Sequence, residues 1–457
     1  MSYSRYTFPL AKFAFVLLLI FGLKPFTVLS QTLNKEVQNR REKLVEILPD
    51  GLIVLPSKWE EKAMEQPAWI QDATFYYFTS LATAPGAILL IDGPANRTIL
   101  FSGPDPQTFG VPIPDFNVQN RPDWIGQSGV SAVMPNSEFV TYVRSRMNEG
   151  VKTVYLDQPR RPSPSEAPEG MLEVSGFHRM WQQSMSIAFP NVEIKSAAAA
   201  IGELVWIKSD YEVAQLTKNA SYSAKALREG MTSIRDGLTQ RQVEGEVVNA
   251  CLQAGAEGPS FWPWVMTGPN AQMKRLVKSF YDDSNLNRTF KNGELVRVDV
   301  GCMAGGYGGD VGRTVPVSGT FSKDQATIWD ILISGYLAGM KAMMPGKTLD
   351  QIREASILGM KEWGRTHPKD AEIVSVMAAE SGGVGWHIHG VGIESGETAE
   401  PVLEAGSVIA FEPGFATAAD AYYLEDMILI TPTGYQVLTQ DLPYTSSEMH
   451  SFLSKSR

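Results

Sequence analysis

The sequence is poor in cysteine, in long apolar runs and in net positive charge. Only Cys251 and Cys302 are present among 457 residues, which excludes a protein built on a disulfide framework. We expect these two to be unpaired, buried, apolar side chains, with a single bridge between them as the alternative. Beyond residue 30, no segment has the roughly 20 consecutive apolar residues that a membrane helix needs. An integral membrane protein is therefore not expected.

Basic residues are outnumbered by acidic ones. The chain has 40 Lys and Arg against 50 Asp and Glu, a formal charge of -10, and its isoelectric point is near 5.2. Nucleic-acid binding requires clustered Lys and Arg that neutralise phosphates, and the sequence shows no such cluster. Nucleic acid is excluded as a partner.

Residues 1–30 have the pattern of a signal peptide. Arg5 and Lys12 precede an apolar run, Phe13–Leu23, which is too short to span a bilayer comfortably. Small or modest side chains near Ser30 suit cleavage after that residue. The alternative is a buried N-terminal helix. We predict a secreted protein, or a periplasmic one in a bacterium, that is not held in a membrane once the signal is removed.

The chain is longer than one hydrophobic core usually organises, so two domains are expected. Residues 31–203 alternate helical segments with short apolar runs, which predicts an α/β domain around a central sheet. Its predicted strands cover residues 51–55, 87–91, 98–101 and 153–156. The composition near residues 196–202 is typical of a boundary.

Residues 204–457 have a different pattern of apolar and polar residues. Two long helices are predicted first, over Glu212–Met231 and Thr239–Ala254. Strands with Gly-rich turns follow, over residues 294–300, 307–317, 408–412 and 422–430, and helices over 323–344 and 349–365 interrupt them. This pattern favours an α+β domain with curved antiparallel strands.

Four carboxylates stand in or beside these strands. In the strand over 294–300 the valines share one face, so Asp299 points to the other. Asp310 follows after the Gly-rich connection 305–309, where a returning strand would bring it back beside Asp299. Glu412 and Glu425 lie in apolar strands, where burying an unpaired charge is costly. A bound metal ion removes that cost.

Each acidic residue has an ordinary alternative, namely turn chemistry for an Asp beside Gly and an exposed or salt-bridged position for each Glu. Together with His389, however, they form a hard, oxygen-rich set that suits pairs of Mn²⁺, Co²⁺ or Zn²⁺ ions. Two such ions can share bridging carboxylates and a hydroxide that attacks a carbonyl. The sequence therefore predicts a two-metal hydrolase site. The other histidines outside this region, His178, His367 and His450, have no partners at ligand spacing.

These residues resemble the metal-binding motifs of metallopeptidase family M24, which includes aminopeptidase P, prolidase and methionine aminopeptidase. The motifs occur in the family's order: Asp299-Val-Gly, Asp310 with Arg313-Thr314, His389-Gly-Val-Gly, Glu412-Pro-Gly and Glu425-Asp. The resemblance covers about residues 204–440 and implies the pita-bread fold. Residues 69–79 and Pro85-Gly86-Ala87 are similar to the N-terminal domain of the aminopeptidase P and prolidase branch, which methionine aminopeptidases lack.

The resemblance implies a hydrolase of the Xaa-Pro aminopeptidase type, which removes an N-terminal residue from a peptide, and the signal-peptide pattern predicts that it is exported. It implies two divalent ions, Mn²⁺ first, with Co²⁺ or Zn²⁺ as alternatives. Asp299 and Asp310 would hold one ion, whereas Asp310, His389, Glu412 and Glu425 would hold or bridge the second. Glu412 would also take the proton of the bridging water. By analogy of fold, a homodimer is expected.

The sequence departs from the family at three positions. Arg275 and Gly396 stand where active members have substrate-binding histidines, and Tyr423 replaces an Arg. Losing such a hydrogen-bond donor costs on the order of 10²–10³ in rate. We expect Arg275 and His387 to compensate, because His387 shares a face with His389 in an extended segment. The alternative is an M24-fold protein with an altered substrate or a non-catalytic binding role.

Overall fold

The structure, a computed structural model, describes residues 24–58, 71–105, 107–108, 110–112, 117–157, 176–272, 287–394 and 396–456. The chain divides into two compact units, Met1–Leu204 and Val205–Arg457, and the predicted boundary is one residue earlier. The apolar run Phe13–Leu23 and Arg275 lie outside the described residues. No helix in the described part of the chain is long and apolar enough to cross a membrane.

The first unit contains a six-stranded mixed sheet with the strand order β6-β3-β2-β1-β7-β8. The strands of this unit are β1 (Gly51–Pro56), β2 (Ile88–Asp92), β3 (Arg97–Ser102), β4 (Gln107–Thr108), β5 (Val111–Pro112), β6 (Ala132–Pro135), β7 (Thr153–Leu156) and β8 (Glu193–Ser196). Its helices are α1 (Lys24–Ile47), α2 (Ala73–Thr79), α3 (Pro122–Ser128), α4 (Phe139–Asn148) and α5 (Gly176–Ala188), while α6 (Ala198–Trp206) crosses into the second unit.

Burial explains the strands of the first unit. Every residue of β1 is buried, and β1 pairs antiparallel with β2 and parallel with β7. A strand covered on both faces reads as a continuous apolar run rather than an alternating one. That is why the four predicted strands of this domain appear within one or two residues of their expected bounds.

The second unit contains a seven-stranded antiparallel sheet with the order β10-β11-β13-β16-β15-β14, and β17 pairs with β16. The strands of this unit are β9 (Gly258–Pro259), β10 (Trp264–Thr267), β11 (Leu295–Val300), β12 (Cys302–Met303), β13 (Val311–Pro316), β14 (Gly385–Gly390), β15 (Val408–Ala416), β16 (Ala421–Thr431) and β17 (Gly434–Val437). Its helices are α7 (Asp210–Ser233), α8 (Gln240–Ala254), α9 (Lys323–Ala342), α10 (Leu349–Thr366), α11 (Ala371–Met377) and α12 (Ser446–Ser456).

Local signals fix the start of the long helix α7. The Ser209 side chain accepts a hydrogen bond from the Glu212 backbone amide, and the Glu212 side chain accepts one from the Ser209 backbone amide. This reciprocal capping box satisfies amide groups that a helix start leaves free. The helix therefore begins at Asp210 rather than at Glu212, where hydrophobic periodicity first becomes visible.

The strand predicted from Tyr307 is shorter in the structure. Gly305 and Gly306 have positive φ angles, which form a turn before Asp310. Regular pairing begins only at Val311. The ligand candidate Asp310 thus lies at the end of a turn, directly before β13, rather than inside a strand.

Cys251 and Cys302 form a disulfide, so the expectation of two unpaired thiols was wrong. Cys251 lies on α8, and Cys302 lies on β12, which pairs with the β9 strand that follows α8. This pairing brings the two Cα atoms to 5.5 Å, within the bridging range. The 51 residues that separate the cysteines hid their proximity from the sequence.

We predict that replacing both cysteines by alanine lowers the free energy of unfolding by about 2–4 kcal/mol, because the bridge restricts the unfolded chain. Urea titration of the second unit's tryptophan fluorescence measures this. Wild-type protein unfolded with a reductant should show a loss of similar size. Equal midpoints for the oxidised, reduced and alanine forms would contradict the prediction.

Candidate metal centre

Three neighbouring strands align two of the carboxylates. Asp299 on β11 lies opposite Gly312 on β13, and Gly312 lies opposite Glu425 on β16. Directly opposed residues project from the same face of a sheet. Asp299 and Glu425 therefore point to the same side, with the side-chain-free Gly312 between them.

The next strand pair brings the histidines to the remaining glutamate. His387 on β14 lies opposite Glu412 on β15, and His389 shares its face because it is two residues further along. The His389 Nε2 atom is 3.3 Å from Glu412, 3.5 Å from Glu425 and 3.7 Å from Asp310. One imidazole nitrogen thus stands among three carboxylates.

A hydrogen bond fixes which nitrogen of His389 faces the carboxylates. Its Nδ1 lies 2.9 Å from the Gly390 carbonyl oxygen, and a carbonyl only accepts, so Nδ1 carries the proton. The Nε2 atom is left for the carboxylate side. A backbone partner on the far nitrogen is how proteins orient metal-binding imidazoles.

Two buried carboxylate oxygens show that the residues fit metal ions. Asp299 Oδ1 and Glu425 Oε1 have no hydrogen-bond partner in the described structure, although Asp299 is 4% and Glu425 1% exposed. Leaving a buried charged oxygen unsatisfied is costly, and a cation between such oxygens removes the cost.

Two groups of side chains could hold a metal ion, since their ligand atoms lie within 4.8 Å of one another. The groups are Asp310 with His389 and Glu425, and His387 with His389 and Glu412. Both combine carboxylate oxygens with imidazole, a donor set that suits Mn²⁺, Co²⁺ or Zn²⁺. The two groups share His389.

The electrostatics indicate a shortage of positive charge. Burial, partly offset by Arg297, raises the pKa of Asp299 to about 7. Burial and the neighbouring charges of Glu425 and Asp299 raise the pKa of Asp310 well above its ordinary value. The cluster therefore carries more potential negative charge than its own cations balance, and it favours additional positive charge.

His387 and His389 also affect the charges of the cluster. Burial opposes ionisation of Glu412, but hydrogen bonds from His387 and His389 dominate and hold its pKa below the usual range. Burial lowers the pKa of His389, whereas the hydrogen bond to Glu412 and the negative charges of Glu425 and Glu412 raise it more, to about 10. Without a metal ion, Glu412 and His389 thus form a charged pair, and a metal ion at Nε2 would take the place of the His389 proton.

The structure brings all five predicted ligands together beside the second unit's sheet. His387 lies at the rim, with a side chain 61% exposed, and its Nδ1 contacts Glu412 Oε1. It therefore reaches the centre through Glu412. Arg275 is outside the described residues, so its predicted role stays a prediction.

Sequence reasoning missed a buried ion pair next to the centre. Lys208 Nζ lies 2.6 Å from Glu397 Oε2, and both side chains are almost fully buried. The other Glu397 oxygen accepts from the Ile393 amide, and a Cβ on Gly392 would meet it at 2.3 Å. The pair fixes the loop that follows His389. No local pattern signals it, because the partners are 189 residues apart.

A second missed residue did have a sequence signal. Arg297 is buried, and its Nη2 donates to Asp299 Oδ2 at 2.8 Å. Residues two apart in a strand share a face, so the alternation that oriented Asp299 also places Arg297 beside it. Positive charge next to a predicted ligand was therefore foreseeable.

A buried network supports the strand behind the ligands. Arg313 donates to the Glu425 backbone carbonyl and, through Nη2, to both oxygens of Asp426. Asp426 also accepts hydrogen bonds from Tyr336, Tyr444 and Thr439. Arg313 thus connects β13 to β16 at Glu425, one of the predicted ligands.

Comparison with known proteins identifies this arrangement. Residues 214–432 match the model of metallopeptidase family M24. The second unit is an M24 metallopeptidase domain. The predicted family is confirmed, and the predicted ligands Asp299 to Glu425 all lie within the matched M24 segment.

The M24 resemblance extends beyond this domain. The chain is similar to the Xaa-Pro aminopeptidase of Escherichia coli, with 24% identity over 94% of this chain and 100% of the relative. It is 25% identical to the mitochondrial intermediate cleaving peptidase 55 of Arabidopsis thaliana, over 92% of this chain and 83% of the relative.

A solved structure agrees. E. coli aminopeptidase P with the inhibitor Pro-Leu superposes with a TM-score of 0.72 at 22% identity, covering 93% of this chain and 99% of that one. The predicted fold, an α/β domain followed by a pita-bread domain, is confirmed. The predicted class, metallo-aminopeptidase, is that of these relatives.

We predict that Arg313→Met destabilises the M24 domain by about 3–5 kcal/mol, because it leaves the buried Asp426 charge without its ionic partner. Denaturant unfolding measures the loss. Arg365→Met is the matched control, since Arg365 pairs with Glu362 in an exposed position on α10 and should leave the midpoint unchanged. Equal effects of both substitutions would contradict the role of the network.

Proposed function

We propose that this protein is a metal-dependent aminopeptidase of the Xaa-Pro type that removes the N-terminal residue from peptides. The observation that carries the proposal is the convergence of His389 Nε2 with three carboxylates, beside carboxylate oxygens that lack protein partners. Similarity to an Xaa-Pro aminopeptidase along 94% of the chain supports the same activity.

The ligand assignment follows the M24 motifs. Asp299 and Asp310 would hold one divalent ion, whereas Asp310, His389, Glu412 and Glu425 would hold or bridge the second. Mn²⁺ is the proposed metal, because four carboxylates with one imidazole form a hard donor set. When bound, two such ions supply Lewis-acid polarisation of the scissile carbonyl and activation of the attacking water.

A side chain of the protein accepts the proton that the attacking water releases. Glu412 accepts the proton of the attacking water, and His387, whose Nδ1–H donates to the same carboxylate at the solvent side, keeps Glu412 ionised for that step. Because Nδ1 of His387 is engaged by Glu412, its Nε2 is the ring atom available to substrate. His387 thereby takes over part of the work of the histidines that the sequence lacks.

The second candidate function is hydrolysis of a different N-terminal linkage with the same metals. Gly396 brings no imidazole to the pocket, and the neighbouring Glu397 is buried against Lys208. The residues at the family's substrate-binding positions therefore differ from the family pattern, whereas the predicted metal ligands match it. This contrast favours a changed substrate over a lost activity.

We predict that chelator-treated protein is inactive and that Mn²⁺ restores cleavage of Xaa-Pro peptides, measured by release of the N-terminal residue. Glu412→Gln should abolish turnover. His387→Ala should lower kcat at least roughly tenfold, about 1.4 kcal/mol in the barrier, with unchanged metal content. His450→Ala, an exposed histidine bonded to Thr320, is the control and should be neutral.

Different outcomes separate the candidates. Cleavage of other N-terminal bonds but not of Xaa-Pro, with the same metal dependence, would establish the changed substrate. A gain on Xaa-Pro peptides in Gly396→His would indicate a pocket that still fits them. Wild-type protein without stoichiometric metal and without activity on any peptide would refute the proposal.

We also propose that the protein is exported. The basic residues and apolar run before Ser30 support this, and the Cys251–Cys302 bridge agrees with an oxidising compartment, because structural disulfides rarely persist in the cytosol.

We predict that protein recovered outside the cytosol begins near Gln31 and has no free thiol after denaturation. Edman sequencing and a thiol assay measure these two properties. A chain that keeps residues 1–30 and stays in the cytosol would contradict export.

A further inference from the structure

Arg297 and Tyr423 form a stacked pair beside the metal centre. The guanidinium carbon of Arg297 lies 3.5 Å from the centroid of the Tyr423 ring, and both side chains are buried. The residues come from β11 and β16, two strands that β13 separates. A guanidinium held this close over an aromatic ring makes a cation–π contact that restricts the orientation of both groups.

Gly312 provides the space for this stack. It lies on β13, opposite Asp299 on one side and Glu425 on the other. A Cβ at this position would come within 2.2 Å of Cε1 of Tyr423. The ring therefore occupies the volume that any other residue at 312 would fill.

Each residue of the pair donates a hydrogen bond to one oxygen of one carboxylate. Arg297 Nη2 donates to Asp299 Oδ2 at 2.8 Å, and the Tyr423 hydroxyl donates to Glu425 Oε2. The other oxygens of these two carboxylates, Asp299 Oδ1 and Glu425 Oε1, are the ones without hydrogen-bond partners. In both predicted ligands, therefore, one carboxylate oxygen is hydrogen-bonded by the pair and the other is available to a metal ion.

The geometry assigns Arg297 and Tyr423 a joint function: they are a positioning pair that orients Asp299 and Glu425 for metal binding. The ring of Tyr423 holds the guanidinium, and its hydroxyl holds Glu425. The inference deepens the proposed function, because it rests on a metal-binding centre formed by these carboxylates. Neither residue is a metal ligand, and neither contacts substrate in this role.

Charge-conserving and ring-conserving substitutions test the pair. Arg297→Lys keeps the charge but loses the planar fork, Tyr423→Phe keeps the ring but loses the hydroxyl, and Tyr423→Leu loses both. Mn²⁺ binding to chelator-treated protein is measured by isothermal titration calorimetry. Melting of the metal-free forms is recorded in parallel. Arg288→Lys, whose arginine pairs with Glu294, and Tyr435→Phe are the matched controls.

We predict that Arg297→Lys and Tyr423→Phe each weaken Mn²⁺ binding about 10–100-fold, the usual effect of losing a partner that orients a ligand. Tyr423→Leu should weaken it further, because it also releases the guanidinium. In the Tyr423→Leu background, Arg297→Lys should then weaken Mn²⁺ binding by less than about a further twofold. In the Tyr423→Phe background it should have nearly its full effect. The controls should bind Mn²⁺ like the wild type.

Other results would overturn the inference. Lower melting temperatures with unchanged Mn²⁺ affinity would show a purely structural pair. Equal effects of Arg297→Lys in both Tyr423 backgrounds would show that the stack does not couple the two residues. If the wild type and the variants bind two Mn²⁺ ions equally well, the positioning role of the pair is refuted but the proposed function is not. If the wild type binds no Mn²⁺, the proposed function is refuted as well.

Discussion

The mutual repulsion of four carboxylates in a largely buried site is the constraint on which the rest of this domain depends. Burial and neighbouring charges push the pKa of Asp299 to about 7 and raise that of Asp310 well above its ordinary value. Such a cluster persists only where the fold holds it in place and positive charge relieves it. Arg297 supplies part of that charge, and the remaining deficit matches divalent cations.

The antiparallel sheet meets the first requirement. Residues opposed across β11, β13 and β16 share a face, and so do those across β14 and β15. Ligands on strands are held more firmly than ligands on loops, because backbone hydrogen bonds fix their spacing. Gly312 shows how closely the layer is packed, since its missing side chain makes room for Tyr423.

Three buried basic residues around the cluster hold its parts in place in different ways. Arg297 holds a ligand oxygen directly, Arg313 holds the backbone of Glu425 and the neighbouring Asp426, and Lys208 fixes the loop after His389 through Glu397. All three are buried and paired with an acidic side chain. Buried ion pairs of this kind contribute little net stability but fix geometry, which is what a metal centre needs.

The sequence by itself determined the elements and the ligand candidates, because both depend on local patterns. Alternation in β11 turned Asp299 away from the valines, and the order of the five motifs indicated the M24 family. Only the tertiary structure decided the Cys251–Cys302 bridge, the Lys208–Glu397 pair and the Arg297–Tyr423 stack. These contacts join residues 51 to 189 positions apart, and pairing at that separation is set by how strands and helices pack, which no local pattern records.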